Sequence, residues 1–441
     1  MESTKTTKVI REVFGYIHRF KGQVFVIKIN DDILDEPLFS LLIRDIVLIH
    51  QMGIKIILVP GTKNSINKVL ANYGKPSESH KGMRITSNDL MPLVKLGVSD
   101  VTNKLLTLLS EGGANGVLGN WVRAREVGVL SGKDYQSTGK VESIKLDVLQ
   151  NLMDDQLIPI LTNIGYSNIG KPYNISSSEL AVFVAKSIRA AKLFFVSSLA
   201  GIPKPPHLTK KEKRGNGLFS SLELSEAEGF LREYQGFFSE EVRAHLELAI
   251  EAIKGGVRRV HLVNGVIDGI ILQETFQSSG QGTMVHGNVH SNIRLARAQD
   301  ISILMHIMQP YVQQGLLVQR PPEKFSAMLD HLYIYAVDDV IQGCAALTPY
   351  SGRYAEIEAV TVDQTYAQQG IGRKLVTYLL DLAKQKGFKA VFILTTQSSD
   401  YFEQLGFRLA KFEDLPPEKQ QVYNTNRNSK VLVYPFNGDG V

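Results

Sequence analysis

The sequence predicts two domains of different class: an α/β domain with a mainly parallel sheet, followed by a smaller α+β domain. Up to residues 258–265, apolar runs of strand length alternate with helical patterns. Such alternation is typical of a parallel sheet covered by helices. The stretch 277–292, rich in Gly, Ser and Asn, interrupts the pattern. Beyond it, several strands precede one glycine loop and helix, which indicates antiparallel strands and a different architecture.

In the first domain, the strands are predicted from continuous apolar runs and the helices from apolar residues at helical spacing. Glycines that close two of these helical patterns are typical of helix ends. The predicted strands are 23–29, 54–61, 158–165, 192–198 and 258–265. The predicted helices between them are 37–53, 64–74 and 177–190.

In the second domain, the predicted strands are 333–339, 341–350, 356–362 and 390–396, with a helix from Arg373 to Gly387. The predicted divisions of the chain are an N-terminal helix over 1–20, the α/β domain over 21–286, a linker over 287–292 and the α+β domain over 293–436.

The composition excludes several classes of protein. The net charge is +5 and the cluster "KKEKR" at 210–214 has the setting of an exposed loop, so no nucleic-acid partner is predicted. The single cysteine, Cys344, excludes an intrachain disulfide and a cysteine-based zinc site. No histidine pairing indicates a metal, and no secretory signal or uncharged membrane-length run is present. A cytoplasmic protein without metal or membrane span is therefore predicted.

The glycine pair in "TYAQQGIGRKLV" is the best phosphate-binding candidate. A P-loop pattern is absent, and a dinucleotide fingerprint would need a third glycine at Leu375. These exclusions leave a pyrophosphate held by backbone N–H groups between strand 356–362 and the helix that follows. A tight turn without a ligand is the alternative interpretation.

This segment resembles the coenzyme A loop of the GNAT acyltransferases, in which an Arg or Gln is followed, after two residues, by Gly-x-Gly or Gly-x-Ala. "DYFEQLGFRL" at 400–409 matches a later element of the same family. The Arg or Gln position falls on Ala367, and the family's general-acid tyrosine falls on Phe402. The resemblance implies coenzyme A contacts from Val360, Thr361, Val362, Gln368, Gln369, Gly370, Gly372 and Arg373.

The first domain resembles the amino-acid kinase family, a fold with three layers. "FVIKIND", "VPGTKNSIN" and "HKGMRIT" stand at the places of three family motifs. The phosphate-binding glycines are replaced by Asn30 and Asp31 in the first motif and by Thr62 and Lys63 in the second. Side chains at these positions prevent close backbone approach to phosphate, so the domain is predicted to lack kinase activity.

A kinase-like domain followed by an acetyltransferase domain is the arrangement of the bacterial N-acetylglutamate synthase family. The resemblance covers nearly the whole chain and implies transfer of acetyl from acetyl-CoA to L-glutamate, the first step of L-arginine biosynthesis. It also implies allosteric regulation by L-arginine and a homo-oligomer, with a hexamer suspected. The competing interpretations are a sensor with little turnover and an active kinase fused to an acetyltransferase.

Acetyl transfer to an amine needs a general base, because the amine is mostly ammonium at neutral pH. Glu356 and Glu358 lie two apart on one strand and share a face. The resemblance places the base at Glu356, with Glu358 as the alternative. It places a proton relay at Thr395, with Tyr401 as the alternative, and substrate carboxylate contacts at Arg320, Arg427 and Ser429.

The resemblance also implies an arginine site in the first domain. Tyr16 lies on the predicted N-terminal helix that arginine-sensitive relatives use. "LQETFQSSGQGTM" matches a further element of those relatives. It implies that Glu274 pairs with the guanidinium and that the backbone of Gly282 and Thr283 approaches the ligand. A strand-end turn with a purely structural role is the alternative.

Overall fold

The computed structural model describes residues 14, 17, 20–80, 82–205, 217–234, 236–276, 281–287, 293–318, 321–337, 340–366 and 370–436. Residues 14, 17 and 20 are helical. The chain divides into two compact units, Met1–Gly287 and Asn288–Val441.

The first unit is built on an eight-stranded sheet in which all neighbouring strands are parallel except one pair. In spatial order its strands are β14 (Ser221–Glu223), β16 (Thr283–His286), β15 (Arg259–Asn264), β13 (Lys192–Ser197), β1 (Val24–Ile29), β2 (Lys55–Pro60), β10 (Ile158–Ile160) and β5 (Gly116–Leu118). The antiparallel pair is β15–β16. All six residues of β13 are buried, as expected for a strand covered on both faces. The predicted α/β class is confirmed.

One predicted strand, 158–165, is divided in the structure. Its first half is β10, whereas its second half, β11 (Ile164–Tyr166), joins a separate four-stranded sheet. The chain changes sheets at Asn163, whose side chain is buried in a polar network. The four-stranded sheet has the order β12 (Pro172–Asn174), β11, β6 (Val122–Glu126) and β9 (Gly139–Ile144).

The short hairpins of the first unit are β3 (Ser79–His80) with β4 (Met83–Arg84) and β7 (Val129–Leu130) with β8 (Lys133–Asp134). Its described helices are α1 (Phe39–Gln51), α2 (Lys63–Asn72), α3 (Met91–Glu111), α4 (Leu146–Asp154), α5 (Ser177–Ser187), α6 (Leu224–Glu233), α7 (Glu240–Lys254) and α8 (Ile270–Phe276). The predicted helices correspond to α1, α2 and α5; the start of α5 coincides with the prediction, and the other ends differ by one to three residues.

The second unit contains a seven-stranded, mostly antiparallel sheet. Its order is β17 (Ile293–Leu295), β18 (Leu332–Val337), β19 (Val340–Tyr350), β20 (Tyr354–Val362), β21 (Ala390–Thr395), β23 (Lys430–Pro435) and β22 (Arg408–Ala410). Its described helices are α9 (Ile301–Gln313), α10 (Pro322–Met328), α11 (Ile371–Gln385), α12 (Ser399–Glu403) and α13 (Pro417–Gln421). The predicted α+β class is confirmed here.

The parallel pair β20–β21 opens the sheet of the second unit at one end. Pairing with β21 covers only the first residues of β20 and stops at Glu356. Further along β20, the register against β19 shifts, and Ala359 has a positive φ of 56°. An extra residue of this kind is a β-bulge, which bends a strand. The bulge and the lost pairing leave space between the ends of β20 and β21.

Within the described ranges, no helix combines the length and the apolar character needed to cross a membrane. In the same ranges, no three His, Cys, Asp or Glu side chains are grouped so as to hold a metal ion.

Candidate active site of the second unit

A cavity of about 420 Å³ lies where β20 and β21 separate. Its walls include both carboxylates of β20, the second glycine of the loop and residues that follow β21 and α13. The predicted site residues that line it are Glu356, Val360, Val362, Gly372, Thr395, Arg427 and Ser429. Residues predicted as base, coenzyme A contacts and substrate contacts therefore meet in one cavity.

Glu356 is held at the wall of this cavity and is only 3% exposed. The Nζ of Lys419 donates to its Oε2 at 2.6 Å, and the hydroxyl of Tyr350 donates to the same oxygen at 3.0 Å. Burial raises the pKa of Glu356, and the like charge of Glu358 adds to the increase. Lys419 and Tyr350 oppose the increase, because both stabilise the ionised form. A carboxylate with a raised pKa is suited to general-base catalysis near neutral pH.

Glu358 lines the same cavity, as expected from its position two residues after Glu356. Its Oε1 accepts a hydrogen bond of 2.7 Å from the hydroxyl of Thr348. Glu358 is less buried than Glu356. Glu356 is therefore distinguished from Glu358 by its stronger burial.

The glycine loop ends at Gly370, which has a left-handed backbone conformation (φ 71°, ψ 9°) and is the N-cap of α11. A Cβ at Gly372 would lie 3.3 Å from the hydroxyl of Tyr401 and 3.7 Å from Val362 Cγ2. Gly370 is therefore suited to the turn, and Gly372 keeps the space beside Tyr401 clear. The N-terminus of a 15-residue helix supplies backbone N–H groups suited to an anion.

Three of the predicted coenzyme A residues that the structure describes lie outside the cavity walls: Thr361, Gly370 and Arg373. Thr361 is buried, and its hydroxyl donates to the carbonyl of Ala359 at 3.0 Å. Arg373 is exposed on α11. Gln368 and Gln369 lie outside the described residues, as does Ala367.

The sequence aligns a family tyrosine with Phe402, and both Phe402 and the neighbouring Tyr401 line the cavity. Phe402 packs in an apolar cluster of the second unit and is 7% exposed. Tyr401 is 37% exposed and places its hydroxyl beside Gly372. Burial raises the pKa of Tyr401, which therefore stays protonated at neutral pH. Thr395 also lines the cavity, and its hydroxyl oxygen accepts from the N–H of Ser398 at 3.0 Å.

Arg427 and Ser429 approach the cavity from the segment before β23. Nη2 of Arg427 donates to the carbonyls of Gly315 at 3.1 Å and Leu316 at 3.0 Å. These bonds fix the guanidinium and leave Nε and Nη1 without a hydrogen bond to any described residue. The carbonyl of Ser429 accepts a 2.7 Å bond from Tyr423. Arg320 lies outside the described residues.

The predicted arginine-site residues of the first unit are turned inward. Glu274 is 6% exposed; its Oε1 accepts from the N–H of Gly282 at 2.8 Å, and its Oε2 lies 3.0 Å from Nδ1 of His261. Burial lowers the pKa of His261 to about 4, so this contact is a hydrogen bond from a neutral imidazole at pH 7. Thr283 donates to the carbonyl of Phe219 at 2.6 Å. Tyr16 lies outside the described residues.

A larger cavity, of about 770 Å³, lies in the first unit at the residues predicted to have lost phosphate binding. Asn30, Asp31, Thr62 and Lys63 all line it. The backbone N–H groups at the start of α2 donate to Oδ2 of Asp31, that of Ser65 at 3.2 Å. A carboxylate of the chain itself therefore occupies the helix N-terminus, where an anionic ligand would otherwise be stabilised.

Two polar neighbours of Glu356 were not predicted. Tyr350 could have been found, because the hairpin register pairs Thr348 with Glu356 and makes Tyr350 its diagonal neighbour. Lys419 is 63 positions away in sequence, and no local pattern links it to Glu356.

Each unit matches a known protein family. Residues 23–264, more than half of the chain, match the amino acid kinase family, and residues 301–407 match the acetyltransferase (GNAT) family. An amino-acid acetyltransferase of Mannheimia succiniciproducens is 34% identical over 445 residues, with 99% of each chain covered. One of Pasteurella multocida is 34% identical over 441 residues, with 98% of each covered.

Among solved structures, the chain is similar to N-acetylglutamate synthase from Neisseria gonorrhoeae. The complex with coenzyme A and L-arginine has a TM-score of 0.80 and 26% identity, covering 97% of this chain and 99% of that one. The complex with coenzyme A and N-acetyl-glutamate has a TM-score of 0.62 and 27% identity, covering 98% and 99%. By its full-length relatives, its amino acid kinase domain and its GNAT domain, the chain belongs to the amino-acid acetyltransferase family of enzymes.

Proposed function

We propose that the chain transfers acetyl from acetyl-CoA to the α-amino group of L-glutamate, yielding N-acetyl-L-glutamate and coenzyme A. The observation that carries the proposal is the meeting of Glu356 and Gly372 in one cavity, beside the fixed guanidinium of Arg427. The full-length similarity to amino-acid acetyltransferases and to a synthase crystallised with coenzyme A and N-acetyl-glutamate supports it.

Glu356 acts as the base in this proposal. It takes a proton from the glutamate ammonium, and the neutral amine attacks the thioester carbonyl. The C–N bond forms, the C–S bond breaks and the thiolate leaves; the second proton of the former ammonium is then lost from the amide nitrogen and passes to the thiolate, which gives the amide and the free thiol. The bulge at Ala359 supports a backbone N–H from Val360 as the donor to the oxyanion, since a bulge releases backbone groups from regular pairing.

Acetyl-CoA is bound along the opening between β20 and β21. We assign its pyrophosphate to the loop Gln368, Gln369, Gly370, Gly372 and Arg373, and its pantetheine arm to Val360, Thr361 and Val362. The left-handed Gly370 and the clear space at Gly372 support this assignment. Thr395, through a water molecule, is the proposed proton relay to the thiolate, and Tyr401 is the alternative, supported by its place beside Gly372.

The two substrate carboxylates are assigned to Arg320, Arg427 and Ser429. Cationic, fork-shaped donors suit carboxylates, and Arg427 keeps part of its guanidinium for a ligand.

L-Arginine is the proposed effector, bound in the first unit near Tyr16, Glu274, Gly282 and Thr283. A synthase crystallised with L-arginine supports this assignment. We also propose that the chain is cytoplasmic and forms a homo-oligomer. Sedimentation analysis of the purified chain tests the assembly.

Thiol release from acetyl-CoA should be fastest with L-glutamate as acceptor. An acceptor with a shorter or uncharged side chain would leave an arginine of the site without a carboxylate to bind, so its transfer should be slower. A panel of L-glutamate, L-aspartate, L-glutamine and a polyamine is measured at equal concentrations, with hydrolysis without acceptor as the control. Comparable rates with any of the other acceptors would contradict the assignment of glutamate.

We expect no phosphorylation of N-acetyl-L-glutamate by ATP, because Asp31 occupies the start of α2 and Asn30, Thr62 and Lys63 stand in place of the phosphate-binding glycines. ADP formation is measured by a coupled assay, with added ADP as the positive control. ADP release above a control without substrate would show that the first unit kept kinase chemistry.

A further inference from the structure

We infer that Lys419 is a positioning residue for acetyl transfer: together with Tyr350 it keeps Glu356 ionised and leaves one carboxylate oxygen directed at the substrate amine. This inference rests on the proposed function of Glu356 as the base.

The hydrogen bonds to Glu356 are all on one side of the carboxylate. Lys419 Nζ at 2.6 Å and Tyr350 Oη at 3.0 Å both donate to Oε2. No residue that the structure describes donates to Oε1. Because Glu356 lines the cavity, Oε1 is the oxygen available to a ligand there. The two donors thus fix the orientation of the carboxylate before substrate binds.

Lys419 is itself held in place. It lies on α13, and the preceding Leu415 is buried against the sheet. The side chain of Gln420 donates to the carbonyl of Leu415 at 2.8 Å, and this bond connects α13 to the segment that precedes it. The ammonium lies 5.9 Å from the centre of the Tyr350 ring, and that ring packs against Phe392 with centroids 5.4 Å apart. Lys419, Tyr350 and Glu356 therefore form a closed group with little freedom.

The positive charge of Lys419 favours the ionised form of Glu356, whereas burial and Glu358 favour the protonated form. Burial and Glu358 raise the pKa of Glu356, whereas Lys419 and Tyr350 lower it. The other titratable side chains that line this cavity are Tyr311, Glu358, Tyr401, Tyr423 and Arg427. In the reaction, the substrate proton passes to Oε1, while Lys419 keeps its own protons and donates to Oε2 throughout. No covalent bond is made to Lys419.

Lys419→Met should move the acidic limb of kcat/KM for glutamate to higher pH. A base that has lost its cationic partner in a buried site has a higher pKa, so it is protonated over a wider pH range. We expect a displacement of about one pH unit, which lowers kcat/KM about tenfold on the acidic side. Lys419→Arg should restore most of the wild-type profile, since Arg also makes a charge-assisted bond. Lys386→Met, at an exposed lysine of the same unit, is the matched control and should leave the profile unchanged.

Other roles for Lys419 give different profiles. If Lys419 bound a substrate carboxylate, Lys419→Met would raise KM for glutamate and leave the acidic limb in place, and the inference would be wrong. An unmoved limb with a lower melting temperature would show a purely structural ion pair, which also overturns it. If Lys419→Met does not fold, Tyr350→Phe is measured instead, because it removes one donor to Oε2 without removing the ring. A smaller displacement of the acidic limb to higher pH supports the inference, and an unmoved limb overturns it. If glutamate proves not to be the acceptor, the profile is measured with the acceptor found in the panel, so the two failures are distinguished.

Discussion

Glu356→Gln should lower kcat by about 10² to 10⁴, the usual contribution of a general base. The amide cannot take the proton of the substrate ammonium, so the amine remains protonated and unreactive. Glutamine preserves the shape of the side chain and an oxygen that Tyr350 and Lys419 can still contact. Affinity for acetyl-CoA should barely change, because coenzyme A is assigned to the loop and to the end of β20. Steady-state kinetics and calorimetric titration with coenzyme A measure the two quantities.

Glu358→Gln is the matched control, because Glu358 lies on the same strand and lines the same cavity. Its substitution should reduce kcat much less. A large loss in Glu358→Gln together with a small loss in Glu356→Gln would exchange the two roles.

The pH dependence of the wild type provides a second measurement of the same base. Only the ionised carboxylate accepts a proton, so activity falls as the pH drops through the pKa of Glu356. Because burial and Glu358 raise that pKa, the acidic limb should lie above the value of about 4.3 for an ordinary glutamate. A limb at or below the ordinary value would show that Glu356 is not the titrating base.

The sequence predicts the fold well where hydrophobic periodicity decides it. The apolar runs at β1, β2, β13 and β15 identify the central strands, because a strand buried on both faces must be almost wholly apolar. The strands β6 to β9 were not predicted, because β7 and β8 are two residues long and exposed, and β6 and β9 are only partly buried. The strand β6 also pairs with β11, through Arg123 and Tyr166, and a local pattern does not contain such a pairing.

For the candidate site, the sequence predicts residues whose neighbours lie close along the chain. Glu356 and Glu358 follow from strand alternation, and Gly370 and Gly372 from the loop pattern. The sequence does not reveal that Lys419 reaches Glu356 or that the carboxylate of Asp31 occupies the start of α2. Both contacts join segments that are far apart in sequence. Those segments come together only when the unit that contains them is packed.

L-Arginine should change the apparent KM or kcat of acetyl transfer by about 5- to 150-fold, the range of typical allosteric coupling. A ligand changes the rate in this way only if it binds two states of the enzyme unequally. It should also raise the melting temperature, because binding to the folded state stabilises it. D-Arginine should have a weak effect. Calorimetric titration and thiol release with and without L-arginine are the measurements.

Glu274 is the residue on which this response should depend, and its surroundings decide which substitution is informative. Alanine would leave the buried N–H of Gly282 and Nδ1 of His261 without their acceptor, at a cost of about 1 to 3 kcal/mol for each buried group. Glu274→Gln removes the charge and keeps an oxygen for Gly282. It should abolish the arginine response and leave basal transfer largely intact. Glu111→Gln, at an exposed glutamate of the same unit, is the control and should respond like the wild type.

The position of Glu274 supports a cationic ligand rather than a purely structural turn. Burial keeps its partner His261 neutral at pH 7, so the hydrogen bond between them does not cancel the negative charge. The buried Lys192, whose Nζ donates to the backbone carbonyl of Glu274 at 3.2 Å, supplies a positive charge nearby. The main chain at Gly282 is also closely approached: a Cβ there would lie 2.3 Å from the carbonyl of Leu262, so only glycine fits. A guanidinium near this carboxylate would add a further positive charge. If L-arginine at millimolar concentration neither binds nor alters the rate, the first unit does not sense arginine, and the proposal for acetyl transfer stands independently.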